Sequence, residues 1–264
     1  MSTMSRRQML SALGGAVVGG ALVSAIPAGA APSLPNAEKW IPHKLDPAEC
    51  APYAYEGYWH QGLGCGYGAF YSIVGVMAEK YGAPYNQFPF HMMEVGKGGI
   101  SDWGTICGAL LGAASAFAVF WGRKERDPMV TELFRWYEQT AFPIYDPGAD
   151  ARVPGALPTS VSHSVLCHVS VSRWSYTTGM DANGKPRSER CGRLTVDVAN
   201  KAIEIMNAKI DGTFAAAFGK QDSLSYCGDC HGKGKESPIV KGIQDCTPCH
   251  SGSEHTQDKF KNHP

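Results

Sequence analysis

Two Cys-x-x-Cys-His units lie near the C-terminal end of the chain. They comprise Cys227, Cys230 and His231, and then Cys246, Cys249 and His250. In covalent haem c attachment, two thiols add to the vinyl groups of the porphyrin, and the histidine that follows directly becomes the proximal iron ligand. The pattern therefore predicts two haem c groups per chain, with His231 and His250 bound to the irons.

A four-thiolate metal site is the alternative for these cysteines. The two Cys-x-x-Cys pairs are separated by 15 residues, a spacing that also suits zinc or a rubredoxin-like iron. Such a site has no use for a histidine after both second cysteines, so we favour haem.

The residues around the two motifs are poor in large apolar side chains. From about Lys220 onward, the chain cannot bury two porphyrins by itself. We therefore expect the haems to pack on each other, on the rest of the chain or on a second subunit.

The sixth iron ligand is predicted to be a histidine, because no methionine follows Met206. His255 is the favoured distal ligand, since it lies five residues after His250. The chain offers further candidates at His43, His60, His91, His163, His168 and His263. An open iron that binds substrate is the alternative.

Five cysteines remain outside the haem motifs: Cys50, Cys65, Cys107, Cys167 and Cys191. An odd number cannot all form disulfides within one chain. Cys65 and Cys107 each stand at the start of an apolar, small-residue-rich segment with helical spacing. Gly108 and Gly112 share one face of the second helix, which indicates close approach by another backbone or by a bulky prosthetic group.

The remaining segments predict a mainly α fold. Asp127 and Pro128 form a helix-start signal, and an amphipathic helix is expected to begin at Cys191. The segment around Cys167 fits either a helix or a strand. The predicted organisation is a helical domain at 32–219, followed by a small, irregular dihaem segment at 220–264.

The N-terminus resembles a twin-arginine export signal. Arg6 and Arg7 precede an uncharged run rich in Ala, Gly and Val, which ends in a small-residue cleavage site. We expect a signal peptide at 1–31 and a mature protein in the periplasm, with no membrane span. An uncleaved membrane anchor is the alternative.

The composition sets limits on function. The 264 residues carry a formal net charge of zero, so the basic surface typical of nucleic-acid binding is not expected. A hydrophobic content of 44% suffices for a packed core.

The unit from Cys107 to Gly112 matches the CGAxxG motif of a family of redox-active proteins with four cysteines. The other three correspond to Cys65, Cys167 and Cys191, whereas Cys50 falls outside the pattern. With two haem c motifs and an export signal, the chain resembles the split-Soret cytochrome c family. One departure is Gly66, where the family more often has alanine.

The resemblance implies several features. They are a homodimer, two haems grouped at one end of each subunit, bis-histidine ligation with a ligand that crosses between subunits, and an iron–sulfur cluster in the helical domain. The cluster ligands would be Cys65, Cys107, Cys167 and Cys191, because such clusters take four thiolates. We favour a two-iron cluster over a four-iron one; disulfides or dithiol redox chemistry are the alternatives.

The predicted function is electron transfer between periplasmic redox proteins. Twin-arginine transport carries folded proteins, which suits a cluster inserted before export. A multihaem reductase with an open iron, or a redox sensor that uses its thiols or cluster, are the alternatives. We favour a non-enzymatic electron carrier over an enzyme.

Overall fold

The computed structural model describes residues 38–219 and 221–250. The export signal predicted at 1–31 and the predicted distal ligand His255 lie outside the described residues. The described residues from Lys39 onward form one unit. The predicted division between 219 and 220 stays a prediction.

Helices make up most of the described residues. In chain order they are α1 (Pro47–Trp59), α2 (Gly64–Phe70), α3 (Val76–Tyr81), α4 (Gly108–Phe120), α5 (Arg123–Gln139), α6 (Cys167–Thr178), α7 (Lys185–Ile210) and α8 (Asp222–His231). A π-helical turn at Tyr71–Gly75 joins α2 to α3, and 3-10 turns lie at His60–Gly62, Tyr85–Gln87, Phe90–Gly96 and Gly148–Asp150. The predicted mainly α fold is confirmed.

Two short strands connect the middle of the chain. β1 (Ala141–Phe142) and β2 (Ser160–Val161) are antiparallel, with Ala141 opposite Val161 and Phe142 opposite Ser160. The Phe142 side chain, in β1, is fully buried. The strands therefore attach the long loop between α5 and α6 to the core.

The core is built around α4 and α7. On α4, Leu110 and Phe117 are completely buried, and on α7 Val198, Ile203 and Met206 are buried as well. Ala113 and Ala202 are also fully buried, so buried residues recur every three or four positions along each helix and one helical face turns inward. Each such side chain contributes about 1.5–3 kcal/mol relative to an exposed position.

Glycines on α2 and α4 let neighbouring backbones approach closely. A Cβ at Gly66 would lie 2.7 Å from the Met93 carbonyl, and one at Gly68 would lie 2.6 Å from the Ala54 carbonyl. A Cβ at Gly112 would collide with the Gly66 carbonyl. The expectation that the Gly112 face of α4 meets another backbone is therefore confirmed.

Two predicted helix starts were wrong. α7 begins at Lys185, six residues before Cys191, because Gly184 and Pro186 form an earlier start. α5 begins at Arg123 and carries Pro128 inside it. The side chain of Arg123 donates to Asp127 one turn later, which supports the additional turn.

Within residues 38–219 and 221–250, no helix combines the length and apolar character needed to cross a bilayer.

Candidate functional site

A single backbone bridge positions two of the predicted cluster cysteines. Ile106 pairs with Leu166 in an antiparallel bridge, and the next residue on each segment is a cysteine. The Cys107 N–H donates to the Val165 carbonyl at 2.8 Å, and the Cys167 N–H donates to the Thr105 carbonyl at 2.6 Å. Cys107 caps α4 and Cys167 begins α6, so both helices start from this bridge.

The other two cysteines reach the same place from different helices. Cys65 is the second residue of α2, and its Sγ would lie 2.6 Å from a Cβ at Gly108, the residue after Cys107. Cys191 lies in α7, with its Sγ 3.9 Å from an Arg190 guanidinium nitrogen. We call the surroundings of Cys65, Cys107, Cys167 and Cys191 the four-cysteine pocket.

The four thiols lie within electrostatic reach of one another. Burial raises the pKa of Cys65 well above its usual range, and the charges of the other three cysteines raise it further. Burial, and then Cys107 and Cys191, raise the pKa of Cys167 to about 12. The structure therefore brings together the four cysteines that the sequence grouped.

Cys50 is separate from this group. It is completely buried in α1, and burial raises its pKa to about 12. The charges that act on it belong to Glu49, Lys80 and Asp46, not to the other cysteines.

Hydrogen-bond donors point at two of the thiols. Burial raises the pKa of Cys107, whereas a hydrogen bond from Tyr137 and the backbone N–H groups of Leu110 and Ala109 at the start of α4 lower it. At Cys65, the Gly98 N–H lowers the pKa against the larger effect of burial. Such donors stabilise a thiolate or a thiolate-bound metal, as helix N-termini do for anions.

A loop of unusual backbone conformation closes the pocket. Between Gly98 and Gly104, φ is positive at six positions, including Ile100 at 58°, Ser101 at 50° and Asp102 at 64°. A β-branched residue such as isoleucine rarely adopts this conformation, and such strain tends to occur at functional sites. A Cβ at Gly99 would lie 2.7 Å from the Cβ of Cys167, so the loop packs directly on that cysteine.

A buried polar chain links two of the cysteines across three helices. The Tyr137 hydroxyl on α5 lies 2.9 Å from Ser170 Oγ on α6, and Arg190 on α7 donates to the same oxygen at 2.9 Å. Tyr137 also interacts with Cys107, whose pKa it lowers, and Arg190 contacts Cys191. All three polar residues are buried.

The thiols do not stand at ligand spacing. Among the described residues, no three His, Cys, Asp or Glu side chains are arranged as a ready metal cage.

In the first haem motif, one helix holds the three predicted residues. Cys227, Cys230 and His231 all lie in α8. They follow an i, i+3, i+4 pattern and therefore share a helical face. Two thiols and an imidazole on one face suit a single porphyrin.

The second motif repeats this geometry as one turn. The His250 N–H donates to the Cys246 carbonyl at 2.9 Å, and the Cys249 N–H donates to the same carbonyl at 3.3 Å. Partial burial, and then the neighbouring Cys227 thiol that hydrogen-bonds it, raise the pKa of Cys246. Cysteines of the two motifs are thus neighbours in space.

Polar contacts attach this segment to itself and to the helices. Ser223 Oγ donates to Asp245 at 2.7 Å, which joins the two motifs. Gln221 donates to Glu138 on α5 at 3.1 Å. A polar cleft of about 340 Å³ lies here, lined by Arg135, Glu138, Gln139, His163, Gln221, Asp222, Ser223, Asp245 and Thr247.

No residue from Asp222 to His250 is buried. Tyr226 is 70% exposed and Ile239 is 76% exposed. We call residues 222–250 the haem segment; its apolar side chains are accessible to whatever packs there.

The described histidines outside the motifs are scattered. His43 stacks on the Tyr81 ring at 4.0 Å, and His60 stacks on Tyr67 at 6.1 Å. His91 lies near Tyr67, and His168 follows Cys167 in α6. His163, with φ of 51°, lines the cleft beside the haem segment.

Sequence reasoning missed the surroundings of the four-cysteine pocket. Tyr137, Ser170 and Arg190 lie on three different helices and show no common motif. The Gly98-Gly99 doublet was an available signal for the left-handed loop, because glycine readily adopts positive φ.

Comparisons with known proteins agree with this architecture. Residues 68–205 match the family described as "Putative redox-active protein (C_GCAxxG_C_C)". The "Split-Soret cytochrome c" of Desulfovibrio desulfuricans (strain ATCC 27774) is 59% identical over 277 residues, which cover 99% of each chain. A solved structure described as "A novel iron centre in the split-Soret cytochrome c from Desulfovibrio desulfuricans ATCC 27774" aligns with a TM-score of 0.80 and 65% identity, covering 85% of this chain and 95% of that one. The chain belongs to the split-Soret cytochrome c family, whose role as cytochromes is electron transfer.

Proposed function

We propose that this protein is a periplasmic electron carrier that holds two haem c groups in the haem segment and an iron–sulfur cluster in the four-cysteine pocket. The observation that carries the proposal is the combination of two attachment motifs in one small segment with a separate group of four thiols, of which Cys65 and Cys107 are buried and Cys167 and Cys191 are partly buried. Haem and cluster, when bound, supply one-electron chemistry at their irons.

The haem segment fits two porphyrins. Cys227, Cys230 and His231 share one face of α8, and Cys246 to His250 form a second turn with the same order of residues. The thiols would form the thioether bonds, and the imidazoles of His231 and His250 would hold the irons. Because residues 222–250 bury none of their own side chains, the porphyrins would provide the missing apolar core.

The four-cysteine pocket fits an anionic cluster. Four thiolates with a cluster carry net negative charge, and burying such a charge requires compensation. The buried Arg190 guanidinium lies beside Cys191, and its Nε has no hydrogen-bond partner in the described structure. The thiols would turn toward a common centre on binding, with donors from Gly98, Ala109 and Leu110 around them. We favour a two-iron cluster.

The chain itself performs three tasks in this function. The helices keep Cys65, Cys107, Cys167 and Cys191 together, and burial of Cys65 and Cys107 limits the access of water to those two thiols. The Ser223–Asp245 hydrogen bond holds the two haem motifs close together. Short distances between prosthetic groups favour transfer among them.

We further propose a homodimer with bis-histidine haems. The exposed Tyr226 and Ile239 suit coverage by haem and by a second copy of the chain. His255 is the proposed distal ligand, and a ligand that crosses from the partner subunit would couple haem binding to dimerisation. Histidine ligation keeps potentials below those of methionine-ligated haems.

Export by the twin-arginine route and a periplasmic location complete the proposal. The residues that motivate them, 1–31, lie outside the described part of the chain. Other periplasmic redox proteins would serve as donor and acceptor.

Carbon monoxide separates the carrier from the reductase alternative. An electron carrier should have six-coordinate, low-spin haems in both oxidation states, and these should not bind carbon monoxide after reduction. A reductase with an open iron should bind it. A redox sensor would differ in a third way, since it would sustain no steady electron flux between donor and acceptor.

The deciding experiment counts iron, acid-labile sulfide and haem in the purified protein. We expect iron to exceed two haems per chain and to be accompanied by sulfide. In Cys191→Ser, the excess iron should be lost while haem stays at two. Cys50→Ser is the matched control, because Cys50 is also buried but stands apart from the pocket, and it should keep its full iron content.

Each outcome has a distinct reading. Equal iron and haem in anaerobically prepared wild-type protein would contradict the cluster and leave a dihaem cytochrome. Full iron in Cys191→Ser with loss in Cys50→Ser would contradict the ligand assignment.

A further inference from the structure

Arg190 is the most deeply buried cation near the four-cysteine pocket. Only 1% of its surface is exposed, and it lies in the second turn of α7. Its neighbour Arg193 is buried as well, but it pairs with Glu189 at 2.8 Å. Among the described residues, no carboxylate lies within ion-pair distance of Arg190.

The surrounding groups give Arg190 little negative charge. Its guanidinium donates to Ser170 Oγ at 2.9 Å, which is neutral, and to Cys191 Sγ at 3.9 Å. Asp197 interacts with Arg190 electrostatically, but both Asp197 oxygens accept backbone N–H groups, from Ile144 and Tyr145. A guanidinium stays charged in proteins, so the positive charge of Arg190 would be compensated once the cysteines bind the proposed cluster as thiolates.

We propose that Arg190 is a positioning residue that sets the reduction potential of the iron centre, through its charge beside Cys191 and through the Ser170–Tyr137 chain to Cys107. This inference rests on the proposed cluster in the four-cysteine pocket. Reduction adds one negative charge to the centre, and a nearby buried cation stabilises the reduced form more than the oxidised form. Arg190 therefore raises the potential.

The polar chain formed by Arg190, Ser170 and Tyr137 directs the influence of Arg190 to two specific cysteines. Arg190 and Tyr137 both bond Ser170, so the two ends of the chain reach two different ligands, Cys191 and Cys107. Hydrogen bonds to cluster sulfurs are among the known determinants of potential in such centres. The three residues also connect α5, α6 and α7, which keeps the ligands in register.

Arg187 offers a comparison within the same helix. It also hydrogen-bonds Cys191, but it is only half-buried and donates to the Ala182 carbonyl at 2.6 Å. Solvent screens a charge in that position. Arg173 on α6 is exposed and serves as a distant control.

The test is a redox titration of the iron centre in the intact holoprotein, followed by electron paramagnetic resonance. In Arg190→Gln, we expect the reduction potential of the centre to fall. The ratio of oxidised to reduced centre at a fixed potential should rise at least tenfold, which is about 59 mV for a one-electron couple. Arg190→Lys keeps the charge and should recover most of the wild-type potential. Arg187→Gln should shift less than Arg190→Gln, and Arg173→Gln should not shift.

Several results would overturn the inference. Unchanged potential in Arg190→Gln would refute it, and so would equal shifts in the Gln and Lys variants, because charge would then not be the cause. If Arg190→Gln is purified without the centre, Arg190→Lys decides: a shift of tenfold or more in that variant, which keeps the charge, refutes the inference. Absence of sulfide and excess iron in the wild type would refute the proposed cluster itself, before any variant is made.

Discussion

The four-cysteine pocket and the haem segment solve the problem of holding redox groups in opposite ways. The pocket draws its cysteines from four separate helices, spread from Cys65 to Cys191, and surrounds them with buried side chains. The haem segment takes each set of ligands from five consecutive residues and buries none of residues 222–250. The four-cysteine pocket depends on a finished core, whereas the haem segment needs no core of its own to present its ligands, and in the proposed function it would receive its apolar interior from the porphyrins.

Because of this difference, we expect substitutions in one region to have little effect on the other. A substitution in the four-cysteine pocket should disturb the packing of α2, α4, α6 and α7. A defect in a haem motif removes a prosthetic group and leaves the helices intact.

The largest expected effect is the loss of a haem. Replacing both Cys227 and Cys230 with serine removes both thioether partners, so haem per chain should fall from two to one by pyridine haemochrome and mass measurement. The free energy of unfolding of the helices should change by only about 0.5 kcal/mol, because no buried side chain is touched. A large loss of helical stability would show that the two regions are not independent.

A glycine at the centre of the pocket should give the next largest effect. A Cβ at Gly108 would collide with the Gly96 carbonyl and lie 2.6 Å from Cys65 Sγ. We expect Gly108→Ala to lower the free energy of unfolding by about 3 kcal/mol, at the upper end for overpacking, and to lose cluster iron while keeping both haems.

The control for this change is Gly122→Ala. A Cβ at Gly122 would meet nothing within 4 Å, so stability and iron content should be preserved. If Gly108→Ala keeps its full iron and stability, the pocket is less closely packed than its backbone contacts indicate.

The smallest predicted effect concerns the pH dependence of stability. Burial raises the pKa of Asp197 in α7 to about 6, against an ordinary value of 3.8. The folded state therefore binds more protons between these values, and stability falls as the pH rises through the folded pKa. Between about pH 5 and about pH 7, Asp197 should reduce the free energy of unfolding by about 1 kcal/mol.

Comparison with Asp197→Asn isolates this contribution. The variant loses an acceptor for one of the two N–H groups of Ile144 and Tyr145, so it should be less stable at low pH. The gap between the two proteins should narrow as the pH rises, as measured by denaturant unfolding of the helical signal. Parallel pH profiles would contradict the raised pKa.

Asp245, in the haem segment, makes a contribution to stability with the opposite pH dependence. Burial tends to raise its pKa, but hydrogen bonds from Ser223 and Thr247 outweigh burial and lower the pKa. Its contribution to stability is present above the ordinary pKa and is lost as the pH falls through the folded one. Asp197 and Asp245 therefore make contributions to stability with opposite pH dependence.

Local patterns allowed much of the fold to be predicted. The helix that follows Cys107 was readable from its apolar spacing, and the close approach at Gly112 was readable from the penalty that glycine carries in a helix. The starts of α5 and α7 were not, because an interior proline and an early Gly-x-Pro start compete with the stronger signals at Asp127 and Cys191.

The detailed environment of the pocket was beyond sequence reasoning for a physical reason. Tyr137, Ser170 and Arg190 meet only through tertiary packing, and nothing in their local sequence sets them apart from other core residues. Ile100, Ser101 and Asp102 adopt left-handed backbone without being glycine, so their conformation is imposed by the fold. The cysteine spacing indicated which residues to group, but not what would surround them.

The distribution of the four cysteines along the chain also sets an order of events during biosynthesis. Cys191 lies in α7, so the pocket has all its walls only after the ribosome has released nearly the whole helical region and α7 has docked on α1, α2 and α4. A haem motif exists as soon as its five residues have been translated. The pocket is therefore a product of long-range folding, whereas each haem motif is translated after Cys191 but is complete at the level of primary structure.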